Sequence, residues 1–138
     1  MEQILICLEN NSIKKLDISS KNIQNKDVFV IAEALKINSS LQILYLNNNQ
    51  IGNDGAVEIA EALKINSSLQ KLYLSSNQIG NDGAVEIAKA LKINSSLQEL
   101  YLGYNQIGNE TTETIDSFIT KNNYIQNNAK TKTKILFS

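Results

Sequence analysis

The sequence repeats itself every 28 residues, and that period limits its fold more than any other feature. Residues 41–68 read LQILYLNNNQIGNDGAVEIAEALKINSS and residues 69–96 read LQKLYLSSNQIGNDGAVEIAKALKINSS, identical at 24 of 28 positions. Residues 13–40, IKKLDISSKNIQNKDVFVIAEALKINSS, fit the same frame with drift, and residues 97–124 begin LQELYLGYNQIGNE before diverging. A fixed period of this length means stacked copies of one supersecondary unit. The chain divides into a leader over 1–12, four repeats (13–40, 41–68, 69–96 and 97–124) and a closing cap or tail over 125–138.

Within each copy the spacing is that of a short strand followed by a helix. In the second repeat Leu41, Leu44, Leu46, Asn49 and Ile51 form L-x-x-L-x-L-x-x-N-x-I, and the alternation Leu44-Tyr45-Leu46 marks a strand with one buried face. Asn53-Asp54-Gly55 offers an N-cap and an acidic first turn. Ala56, Ile59, Ala60 and Leu63 then fall at helical spacing, with Glu58, Glu61 and Lys64 on the other side, and Asn66-Ser67-Ser68 closes the helix. One strand and one helix cannot enclose a core. Stacked copies can, with parallel strands on one side and helices on the other.

The pattern L-x-x-L-x-L-x-x-N, followed by a G-x-x-G-A-x-x-I-A-x-A-L helix at Gly52, Gly55, Ala56, Ile59, Ala60, Ala62 and Leu63, resembles the leucine-rich repeats. It is most similar to the ribonuclease-inhibitor-like subtype of ribonuclease inhibitor, NOD-like receptors and the Ran GTPase-activating protein. The resemblance covers residues 13–119. It implies an α/β leucine-rich-repeat solenoid, a curved right-handed horseshoe segment of four 28-residue repeats with strands on the concave face. It also implies protein binding as the default role, which a fold alone does not establish.

The end copies depart from the pattern. Lys21 stands where the other repeats carry Asn49, Asn77 and Asn105, and Asp27 replaces the helix glycine. In the fourth repeat Thr111, Thr112, Glu113 and Asp116 replace Gly, Ala, Val and Ala. Terminal repeats face water on one side and are expected to differ. Ile4, Leu5, Cys7 and Leu8 fit a short amphipathic cap over the first repeat, while Phe118, Ile119 and Tyr124 are placed to cap the fourth. Thr131 to Phe137 reads as a frayed tail or as a strand on the open sheet edge, the tail being favoured.

Composition excludes several function classes. The chain has no His and no Arg among its 138 residues, and one Cys. A Ser-His or Cys-His pair, an arginine finger, a disulfide within the chain and a multi-thiolate metal site are therefore all ruled out. A Ser-Lys pair has no motif behind it. Asp54, Asp82, Glu58 and Glu86 sit at helix starts and surfaces, where carboxylates are ordinary. Cys7 reads as a small apolar cap residue. The expectation is no enzyme, no cofactor and no metal.

The net charge of −1 gives no field for nucleic acid or membrane. Lys130, Lys132 and Lys134 make a mildly basic solvated tail. The run Ile4 to Leu8 is too short for a signal peptide or a membrane span, so the sequons at Asn10, Asn38, Asn66, Asn94 and Asn109 read as by-products of Asn- and Ser-rich loops in a cytoplasmic, monomeric protein, export by a specialised system aside.

Period-2 alternation places the remaining candidates on the concave face: Lys15, Asp17, Ile43, Tyr45, Asn47, Lys71, Tyr73, Ser75, Glu99 and Tyr101, with Tyr104 just beyond the strand. Tyr45, Tyr73 and Tyr101 form a stripe of a residue type enriched at interfaces, or else a layer that only covers the sheet. Repeats two and three differ at Ile43/Lys71, Asn47/Ser75, Asn48/Ser76 and Glu61/Lys89, three of the four on the strand side. A binding face under diversification would vary this way, and so would any tolerant surface. By contrast, Asn49, Asn77 and Asn105 are expected to satisfy buried backbone groups at the turn after each strand.

The partner is expected to be a protein, held with modest affinity because four strands expose only about a dozen side chains. Two other readings stand beside this one. The chain could regulate an enzyme such as a GTPase, or be a fragment of a larger NOD-like-receptor-type protein; Met1 and the distinct leader weigh against the latter.

Overall fold

The computed structural model describes residues 1–127, and in the last helix the side chains only as far as Tyr124. The segment Thr131 to Phe137 and the lysines at 130, 132 and 134 lie outside the described residues. The elements run α1 (Glu2–Glu9), β1 (Lys15–Asp17), α2 (Asn25–Ile37), β2 (Ile43–Tyr45), α3 (Asn53–Leu63), β3 (Lys71–Tyr73), α4 (Asn81–Leu91), β4 (Glu99–Tyr101) and α5 (Asn109–Asn127).

The four strands form one parallel sheet in the order β1-β2-β3-β4, paired at an offset of 28 residues: Leu16, Leu44, Leu72 and Leu100 are mutual neighbours. The sequence period is thus the sheet register. Leu44, Leu46, Ile51, Ile59 and Leu63 of one repeat, and their equivalents in the next, are buried between sheet and helices. Adjacent strands stand about 4.8 Å apart, whereas packed helices need about 8–10 Å. Stacking both at the same period bends the solenoid with its strands on the inner side.

The helix starts differ from the local capping expected. The N-cap residues are Gly52 and Gly80, not the asparagines that follow them. Asn53 instead reaches into the next repeat, where its Oδ1 accepts the amides of Gly80 (2.8 Å) and Gly83 (3.0 Å); Asn25 does the same for Gly52 and Gly55. The first-turn donors that a helix leaves unpaired are thereby answered by the preceding repeat. Gly83 is needed for this approach, since a Cβ there would lie 2.8 Å from the Cβ of Ala56.

The expected turn asparagines behave as read. Asn77 Oδ1 accepts the Ile51 amide at 3.1 Å, and its Nδ2 donates to the carbonyls of Leu46 and Leu74. Each such Asn binds the turn of its own repeat and of the one before. Lys21 belongs to the first repeat, which has no earlier turn to bind.

Of the five sequon asparagines, Asn10 and Asn109 are exposed, but the other three do not behave as loop by-products. Asn38, Asn66 and Asn94 are buried, and Asn66 Nδ2 donates to Leu35 O (2.9 Å) and Asn38 O (3.1 Å) while its Oδ1 accepts the Ser68 and Leu69 amides. α3 and α4 end about one turn earlier, at Leu63 and Leu91, whereas α2 runs to Ile37, directly before Asn38.

At the ends, α1 buries Leu8 and packs Ile4 on the core, and Asn38 Nδ2 donates to Leu8 O at 2.7 Å. In α5, Ile115 and Ile119 are buried and Phe118 packs against the core. Tyr124 is 70% exposed and caps nothing, because Asn122, two residues before it, takes the buried position and donates to Leu97 O.

Candidate protein-binding face

The strand register lays the inner-face side chains out in rows. The first row is Lys15, Ile43, Lys71 and Glu99; the second is Asp17, Tyr45, Tyr73 and Tyr101. Ser19, Asn47, Ser75 and Gly103 continue one position further, joined through the Ser20, Asn48 and Ser76 amides, which donate to the carbonyls of Asn47, Ser75 and Gly103. All the expected face residues except Tyr104, which follows the last row, fall in these rows, but they do not share one environment.

The tyrosines form a closed stack. Ring centroids are 4.3 Å apart for Tyr45 and Tyr73, and 4.2 Å for Tyr73 and Tyr101, with interplanar angles of 18° and 8°. Both flat sides of Tyr73, and one each of Tyr45 and Tyr101, are spent on neighbouring rings. At one end Lys15 Nζ lies 5.1 Å over the Tyr45 ring. At the other, the Tyr101 hydroxyl donates to Glu99 Oε2 at 3.0 Å. What the stripe chiefly offers a partner is ring edges and hydroxyls. Burial raises the Tyr73 phenol above its ordinary range, and burial with hydrogen bonding to Tyr73 and Glu99 raises Tyr101 strongly. The hydroxyls of these two stay neutral at physiological pH and act as donors and acceptors, never as anions.

Three of the charged candidates are occupied. Glu99 is buried, with Lys71 Nζ 3.7 Å from one oxygen and the Tyr101 hydroxyl on the other. Asp17 stands where the other repeats carry tyrosine, and its Oδ1 accepts both the Ser19 amide (3.0 Å) and the Ser19 hydroxyl. Those bonds hold the Asp17 carboxyl below its usual range. Just past β1 the amides of Ile18 and Ser20 donate to Tyr45 O and Asn47 O of the second repeat, so the Ser19 amide between them belongs to the open edge. Asp17 covers that donor, which blunts the edge against a further strand.

The residue after each strand segment turns the chain sharply. Ser20, Asn48, Ser76 and Tyr104 all have φ between 55° and 57°. Asn and Ser tolerate this left-handed region, whereas a bulky side chain rarely adopts it. Tyr104 nevertheless does so, and it projects 82% exposed at the last repeat. Sequence spacing placed it beside the face; only the backbone angle shows the cost of keeping it there. Sequence reasoning also missed that Asn47 Oδ1 is buried without a hydrogen-bond partner.

Among the described residues no group of three or more His, Cys, Asp or Glu is placed to hold a metal ion, and no helix is long and apolar enough to cross a membrane. Of the acids considered for chemistry, Glu86 pairs with Lys89 at 2.8 Å, and Asp54 and Asp82 sit exposed in helix first turns.

The family model for the Leucine Rich repeat matches residues 38–60, 66–88 and 94–110. Against curated protein sequences nothing matches. Two solved structures share the fold across nearly their whole length. Actin-binding site 2 of leiomodin-1 matches with a TM-score of 0.76 at 22% identity, over 94% of this chain and 92% of that one. The tropomodulin C-terminal domain of Caenorhabditis elegans matches with a TM-score of 0.73 at 14% identity, over 94% and 96%.

Proposed function

Taking as premise that the chain is an α/β leucine-rich-repeat solenoid, we propose that it is a protein-interaction module whose inner strand face receives a protein partner. The observation that carries this reading is Tyr104, a large aromatic kept in a left-handed turn and 82% exposed in the last repeat, three residues after Tyr101. Backbone strain of this kind costs of order 1 kcal/mol and gathers at functional positions. The hydroxyl row and ring edges of Tyr45, Tyr73 and Tyr101 give hydrogen-bonding complementarity next to that anchor, with Lys15, Ile43, Lys71, Asn47 and Ser75 around it. Asp17 and Glu99 are held internally and serve the face by ordering it.

A photo-crosslinking amino acid at Tyr104 tests the reading, with one at Val85 on α4 as the helix-side control. A partner joined from Tyr104 and not from Val85 supports it; the reverse sinks it.

A second reading is favoured by one observation, the near-complete overlap with the actin-binding site of leiomodin-1. On this reading the partner is actin. Co-sedimentation with actin filaments and a gel shift with actin monomers decide it; no binding in either removes it. Regulation of a GTPase would have to act without an arginine supplied to the nucleotide, since the chain has none. A cytoplasmic setting suits each of these partners.

A further inference from the structure

The sheet is open at β4. Between the inner repeats, Leu46 N donates to Tyr73 O and Leu74 N to Tyr101 O, both at 2.8 Å. The same rung from Leu102 N finds no acceptor among the described residues. The aromatic row stops here too. Tyr101 stacks on Tyr73 by one flat side, and its other side meets no ring among the described residues. On the opposite edge the Ser19 amide is covered by Asp17, whereas no described side chain covers the Leu102 amide.

The sequence beyond α5 carries the strand pattern once more. Ile135-Leu136-Phe137 repeats the Ile43-Leu44-Tyr45 of β2, with one aromatic in place of another. Its spacing from the preceding helix is the regular one: residues 64–70 join α3 to β3, residues 92–98 join α4 to β4, and residues 128–134 separate the end of α5 from Ile135. The departure from the period of 28 is the extra length of α5, 19 residues against the 11 of α4. Reach is sufficient. Asn122 Nδ2 donates to Leu97 O at 3.0 Å, so α5 passes beside the start of β4. From there to Asn127 the helix advances about 7.5 Å, and the chain from Asn127 to Ile135 can span up to about 26 Å.

We infer that the open edge of β4 is a strand-docking site whose occupant is the chain's own segment Ile135-Leu136-Phe137, added in parallel as a fifth strand. The register of the earlier repeats, continued by one step, sets Ile135 beside Glu99, Leu136 beside Leu100 and Phe137 beside Tyr101. Phe137 O then accepts the Leu102 amide, as Tyr101 O accepts that of Leu74. Leu136 joins the row of Leu44, Leu72 and Leu100, all buried. Phe137 lays a fourth ring on the free side of Tyr101, at the strand spacing of about 4.8 Å. Lys134 takes the place that Lys14 holds before β1. Thr133 and Ser138 stand where the fourth repeat has Leu97 and Leu102, a departure suited to an outermost copy that faces water. The inner face gains Ile135 and Phe137 beside Glu99 and Tyr101. Such a strand replaces the frayed tail that sequence alone favours for Thr131 to Phe137.

Amide hydrogen exchange of the full chain, read by NMR, tests it. Leu74 is the internal reference, because its amide is bound to Tyr101 O within the described repeats. Leu136→Asp is expected to speed exchange of the Leu102 amide by at least about tenfold over wild type while leaving the Leu74 amide unchanged. Phe137→Ser, expected to act in the same direction, serves should Leu136→Asp fold poorly. In the wild type, nuclear Overhauser contacts between the Phe137 and Tyr101 rings are expected within one molecule. A Leu102 amide that exchanges equally in wild type and both variants would overturn the inference. So would the absence of any contact between those two rings, or a contact found only between differently labelled copies, which would give the edge to a second molecule.

Discussion

Asn53 Oδ1 lies 3.0 Å from the Gly83 amide, thirty residues on, so a side chain of one repeat caps the helix of the next. A Gly→Ala change inside a helix ordinarily gains about 1 kcal/mol. At Gly83 the new Cβ would stand 2.8 Å from the Ala56 Cβ and 3.0 Å from the Asn53 Cα, neither of which can swing away. Gly83→Ala is therefore expected to lose about 1–3 kcal/mol in urea unfolding. At Gly108 the nearest atom is 3.4 Å away, and Gly108→Ala is expected to be tolerated. Equal midpoints for the two variants would show that the α3–α4 approach is not tight.

Asn77 answers buried groups in two repeats, the Ile51 amide and the Leu46 and Leu74 carbonyls. Asn77→Ala strands them, at about 1–3 kcal/mol for each group water cannot reach. Lys21→Asn, at the equivalent position of the first repeat, has no earlier turn to bind and is expected to change stability by less than about 0.5 kcal/mol. Thermal melts of both variants check the contrast; a stabilised Lys21→Asn protein would contradict it.

Tyr104 is held at φ 56°. Replacement by Asn, which occupies the same place at Asn48, is expected to stabilise the fold by about 0.5–1 kcal/mol while reducing partner binding. A destabilised Tyr104→Asn protein would mean that the ring packs on the fold and is not kept for an outside contact.

Asp17 gives a pH dependence whose sign is fixed. Its carboxyl is held low by the Ser19 hydroxyl and amide, so its contribution is present above the unfolded aspartate value and is lost as pH falls through the lower folded value. In an acid titration followed by NMR, the Ser19 amide shift is expected to move with a midpoint below the ordinary aspartate range. Asp17→Asn is expected to remove that transition. A midpoint at or above the ordinary value would mean the edge amide is not bound.

The period of 28 made the strand register legible in advance, since Leu16, Leu44, Leu72 and Leu100 could only be neighbours once the copies were stacked. What stayed hidden were bonds between repeats. Asn25, Asn53 and Asn66 carry the local signals of caps and loops, yet each side chain also binds groups 27 to 31 residues away. Alternation put Glu99 on the inner face with Tyr101, and could not show that the two would bind each other and leave the carboxylate buried. It likewise predicted a tyrosine stripe without showing that the rings would spend their flat sides on each other.

The inner face is tested most directly by isotope-quantified affinity capture with three proteins: wild type, the Tyr45→Ala, Tyr73→Ala and Tyr101→Ala triple variant, and a helix-side control carrying Glu58→Ala and Glu86→Ala. Losing two ring contacts lowers stability by about 1–3 kcal/mol, so a cooperative melt must first show that the triple variant is folded. A partner held by wild type and control but lost at least tenfold from the triple variant is the expected result. A partner retained by the triple variant, or lost from the control alone, would contradict a binding role for the strand face.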